Sequence, residues 1–145
     1  MFGKLLQDLL GPSPATVGPS DARLALAALL VRLARADGDY ADTETRRIDL
    51  IVGTRYGLSP FEAAALRREA EILEGEAPDT VRFTRALKDA VPYEDRLSLM
   101  EALWQVALAD TSRDADEDAL IRLVASLLGI TDRDSALARQ RVSPG

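Results

Sequence analysis

Leu26, Leu30, Leu33 and Asp37 stand at i, i+4, i+7 and i+11, and the same figure returns as Leu99, Leu103, Val106 and Asp110. In a helix, that spacing puts all four side chains on one face. Three are apolar and the fourth is a carboxylate, so each stripe that must face a core ends in an acid. Seven residues after each Asp a Glu opens a second stripe, Glu44, Ile48, Ile51 and then Glu117, Ile121, Val124. A chain with this pattern is expected to form one helical hairpin twice, with acids pointing the way the core points.

The punctuation between the stripes agrees. Ser20 or Asp21 caps a helix running to about Ala36, and Asp37-Gly38 breaks it. A second helix runs from about Thr43 to Arg55 and stops at Tyr56-Gly57, a glycine C-cap signal. Ser59-Pro60-Phe61-Glu62 is a capping box with Pro at the first helical position; that helix continues to about Glu74. Asp79 or Thr80 caps a fourth helix ending near Ala90. The fifth covers Tyr93 to Ala109, the sixth Asp116 to Leu128, and the last begins at a Thr131 cap and ends near Arg139. Trp104 and Phe61, on otherwise apolar patterns, are expected in the core.

The first and fifth helices align at an offset of 73 residues, as do Glu44 with Glu117 and Ile48 with Ile121. After one deletion, Tyr56-Gly57-Leu58-Ser59 meets Leu128-Gly129-Ile130-Thr131. The expected fold class is therefore all-α: one bundle of about seven helices, two pseudo-symmetric three-helix halves joined by the fourth helix. Residues 1–20 are expected to be an N-terminal arm and linker, and residues 21–145 the helical domain. Met1–Leu10 reads as a short amphipathic helix with Leu5, Leu6, Leu9 and Leu10 on one side. Residues 12–20, rich in Pro, Gly, Ser and Thr, read as linker.

Composition removes whole classes of chemistry. There is no Cys and no His, so thiol nucleophiles, Cys/His zinc sites, disulfides and Ser-His-Asp triads are out. A net charge of −6 argues against nucleic acid as a partner, since phosphates call for a basic surface. No apolar run reaches the roughly 20 residues of a membrane span, and the first ten residues are too polar for a signal peptide. The cytoplasm is the expected location. With a single Lys, Met1–Leu10 makes at best a weak peripheral contact with lipid.

Asp37 and Asp110 close helices, where the macrodipole is already negative. A carboxylate there, in line with an apolar face, needs compensation by a cation, an Arg or backbone amides. Arg46, Arg47 and Arg122 are candidates to pair with the Glu residues. A metal-free reading is open beside the cation reading: Asp-Gly is common turn chemistry, and Asp114-x-x-Glu117 spells a capping box. If a metal binds, the oxygen ligands Asp37, Glu44, Asp110 and Glu117 favour Ca²⁺, Mg²⁺ or Mn²⁺. The loop is not an EF-hand, because position twelve from Asp37 is Ile48. Asp39, Asp42, Asp114 and Asp116 are read as solvated or capping. No nucleophile, phosphate loop or substrate pocket is marked, so the chain is not expected to be an enzyme.

Ala36-Asp37-Gly38-Asp39-Tyr40 followed by Glu44 and Ile48, with its echo from Ala109-Asp110 through Glu117 to Ile121, resembles the TerB-like family over about residues 21–134. That group takes in tellurite-resistance proteins and the N-terminal region of DjlA co-chaperones. The resemblance implies an all-helical bundle of two related halves with a cation site at the corner acids, and Asp37, Glu44, Asp110 and Glu117 match it one by one. The N-terminal arm also looks like that of stand-alone bacterial members. The chain departs at Thr111, which replaces the second Gly, and at Ala41, where a capping Ser is common. Tellurite is an anion that acidic corners repel, and the chain has no thiol to reduce it. The expected role is a cation-binding module in stress response or an interaction scaffold for a protein partner. The alternative is a metal-free interaction domain whose acids are caps.

Overall fold

The computed structural model describes residues 19–36, 40–76, 80–109 and 115–143. Met1–Leu10, most of the linker, Asp37 and Asp110 lie outside the described residues. Seven helices occur among those described: α1 Pro19–Ala36, α2 Asp42–Tyr56, α3 Pro60–Glu76, α4 Val81–Ala90, α5 Tyr93–Ala109, α6 Ala115–Leu127 and α7 Asp132–Val142. No strand occurs among the described residues, so the chain is all-α as the periodicity requires. α1 starts before its expected cap, at Pro19, a residue suited to a first helical turn because its missing N–H has no intrahelical partner there.

α1 is the axis of the bundle. Every side chain from Ala25 to Val31 is buried, which a helix achieves only when neighbours surround it. It packs against α2, α3, α4, α5 and α6. The alanines at 25, 27 and 28 let those neighbours approach closely, while Leu26, Leu29, Leu30 and Leu33 fill the space between them. α5 is the second organiser: it lies on α1, carries buried Leu99, Leu103, Trp104 and Val106, and packs on α7.

The two connections that leave the hairpins use one device. Gly57 and Gly129 both have positive φ, 64° and 73°, a conformation that a Cβ opposes. In each, the next residue's N–H reaches back five positions, Leu58 to the Gly53 carbonyl at 2.9 Å and Ile130 to Ala125 at 2.8 Å. A hydroxyl then caps the following helix. Ser59 Oγ accepts from the Glu62 N–H at 3.1 Å, and Thr131 Oγ1 from the Asp134 N–H at 3.1 Å.

Phe61 departs from expectation. It is 77% exposed. The core side of α3 is set by Ala63 and Ala70, with Leu66 and Leu73 packed against the core. Phe61 lies two residues, about 200°, out of phase with Ala63. Trp104 is core as expected, 8% exposed, with its indole N–H donating to Ser135 Oγ at 3.2 Å.

Candidate functional site: the acidic corners

Of the four acids singled out by the sequence, the described residues include Glu44 and Glu117, each in the first turn of its helix. Glu117 is 2% exposed and heads the stripe that continues through buried Ile121 and Val124. A carboxylate in so apolar a setting is costly unless compensated. Glu44 is half-buried above buried Ile48. Its carboxylate accepts the Ala41 N–H at 3.3 Å, half of a reciprocal cap; Ala41 has no oxygen to return the bond. Among the described residues, no three acidic side chains gather as a metal cluster. Asp39 and Asp114 also lie outside the described residues, and Asp42 is exposed.

The first corner is braced by a polar network that spacing did not announce. The Tyr40 hydroxyl donates to Glu71 Oε2 at 2.6 Å. Arg67 donates from Nε to Asp49 Oδ1 at 2.7 Å and from Nη1 to Glu71 Oε2 at 3.1 Å. The corner is thereby tied to α2 and α3 at once. Arg35 stacks over the Tyr40 ring, 5.0 Å from its centroid, and also pairs with Glu74. Arg32 donates to Glu74 at 3.0 Å and to Thr80 Oγ1 at 3.2 Å, carrying the network to the start of α4. Burial first, and then the Glu71 carboxylate, push the Tyr40 phenol well above its ordinary pKa. The cations of this network are Arg32, Arg35 and Arg67. The i,i+4 pair Arg67–Glu71 was a visible signal, but its tie to Tyr40 needs the fold.

The positions that repeat Asp49 and Arg67 in the second hairpin carry different residues. At the repeat offset, Asp49 corresponds to Arg122, and beyond the deletion Arg67 corresponds to Arg139, whose guanidinium lies over the Trp104 ring at 5.3 Å. No described helix is long and apolar enough to cross a membrane.

Among the described residues, Glu44 and Glu117 open α2 and α6 at matching positions, and Glu117 is buried. No curated protein and no solved structure matches the chain. The profile of the family described as tellurite resistance protein TerB matches residues 23–140. With that match spanning the repeat, both corners and the all-helical bundle, the chain belongs to the TerB family.

Proposed function

We propose that this TerB-family bundle is a non-enzymatic cytoplasmic module that binds a divalent cation, Ca²⁺, Mg²⁺ or Mn²⁺, through Asp37, Glu44, Asp110 and Glu117, and serves in stress response or as an interaction scaffold. The observation that carries this reading is Glu117, a buried carboxylate directly after the second acidic corner. A bound cation that joins acids from both corners would strengthen the union of the two hairpins.

The test is thermal melting followed by Trp104 fluorescence, in chelator and then with each ion, on the native chain and on Asp37→Ala/Asp110→Ala. At a hundredfold excess over Kd, binding adds about 2.7 kcal/mol, which raises Tm by about 5–10 °C. The double variant loses that rise. Melting that no ion shifts overturns the cation reading. A second reading rests on Glu44, whose carboxylate does act as a cap: a metal-free interaction domain, for which the double variant melts like the native chain with or without ions.

A further inference from the structure

Among the described residues, an open groove of about 800 Å³ runs between α2 and α5. Its apolar lining is Leu50, Ile51, Leu108 and Val142, the last from the end of α7. Leu50 is 69% exposed. At one end the two walls are joined by the Arg55 Nη1 bond to Ser98 Oγ at 3.0 Å. From Arg55 to Arg47, both lining residues, α2 rises about 12 Å, and from Ser98 to Leu108 α5 rises about 15 Å. Two to three turns of a further helix match that length.

Charge says what kind of helix. The chain carries a net −6, yet the groove lining sets Arg47 and Arg55 against Glu101. Glu101 is in turn paired with Arg141, whose Nη1 stands 3.7 Å from its Oε1. Arg47 is exposed, and Arg55, two turns further along α2, is half-buried. The groove thus joins an apolar lining to a basic α2 wall on an acidic protein. The basic wall attracts carboxylates and the apolar lining calls for aliphatic side chains. Nucleic acid answers only the first of these, and the net charge repels it.

We propose that the α2–α5 groove binds an acidic amphipathic helix of a partner protein. Apolar residues of that helix, at three- and four-residue spacing, rest on Leu50, Ile51, Leu108 and Val142. Acids seven residues apart along one flank meet Arg47 and Arg55. Seven residues rise about 10 Å, within reach of two guanidinium stems about 12 Å apart along α2. The inference rests on the interaction-scaffold part of the function proposed above. It uses none of Asp37, Glu44, Asp110 and Glu117, so melting that no ion shifts would leave it standing.

Display selection on the full-length protein tests it. The probe is a library of twelve-residue helical peptides with Leu at positions 2, 5, 6 and 9, which share one face, and random residues elsewhere. Binders should carry Asp or Glu seven apart beside that face, at positions 3 and 10 or 1 and 8. Arg47→Glu, which replaces attraction by repulsion, should weaken them about tenfold, and Leu50→Asp at least tenfold. Both side chains are exposed, so each variant should melt within about 3 °C of the native chain. No binders, binders without the acid pair, or binders that Arg47→Glu leaves unchanged overturn the proposal. A native chain that sediments as a dimer and becomes a monomer on Leu50→Asp also overturns it, with a second copy as the occupant.

Discussion

Tyr40 ties the chain just ahead of α2 to α1 and α3. Its hydroxyl reaches Glu71 on α3, its ring takes the Arg35 guanidinium, and Arg67 donates to the same Glu71 oxygen. A hydrogen bond to a charged group contributes about 1.5–3 kcal/mol when buried; for this half-buried group, loss of the hydroxyl should cost about 1–2 kcal/mol at neutral pH. Tyr40→Phe keeps the ring and tests only that bond, by urea denaturation. The pH dependence follows from the raised phenol. In the unfolded chain Tyr40 ionises near pH 10, while in the folded chain it holds its proton to higher pH. Its stabilisation is therefore complete below about pH 10 and is lost as pH rises beyond that. Tyr93, raised by its bond to Asp134, adds a slope of the same sign. Tyr40→Phe should lie below the native chain at pH 7 and converge towards it above pH 10; parallel curves would refute the role given to Tyr40.

Helix ends were the most legible part of the chain, because their chemistry is local. The Ser59 and Thr131 caps, the Gly57 and Gly129 stops and the bounds of α5 all lie where the sequence puts them. What was not legible depends on neighbours. Phe61 carries the chemistry of a core residue, yet it faces outward because α3 docks through Ala63 and Ala70. The Tyr40–Glu71–Arg67–Asp49 network joins residues 18 to 31 positions apart wherever it crosses between elements, and no period encodes such pairs. Of the site, the stripes beneath both Glu residues were legible, and Ile48, Ile121 and Val124 are buried as read. At α2 the local chemistry is incomplete. Ala41 has the extended backbone of an N-cap, φ −98° and ψ 172°, and its carbonyl accepts from Glu44 and Thr45. Only the side-chain oxygen is missing. Ala41→Ser should add about 1 kcal/mol and raise Tm by about 4 °C, measured by circular dichroism. An unchanged Tm would mean that the Glu44 carboxylate already supplies what the helix end needs.

At the scale of the molecule, the axial position of α1 decides how the chain unfolds. A repeat of two hairpins invites the picture of two halves that melt separately. The packing opposes it: α1 belongs to the first half by sequence, yet it lies against α5 and α6 of the second. Unfolding either half alone would expose Leu26, Leu29 and Leu30, each of them buried, at about 1.5–3 kcal/mol per side chain. Arg96 adds a tie at the far side, donating to the Lys88 and Val91 carbonyls at the end of α4 and to Leu128 just past α6. One cooperative transition is therefore expected. Trp104 reports the second half through its contact with Ser135, while far-ultraviolet circular dichroism reports all helices. The two should give one midpoint in urea. Leu30→Ala, a cavity placed in α1, should cost about 2–5 kcal/mol and move both midpoints together. A Trp104 midpoint that stays in place while the helical signal shifts would show that the second hairpin stands without α1, and the bundle would then be two domains in contact rather than one core.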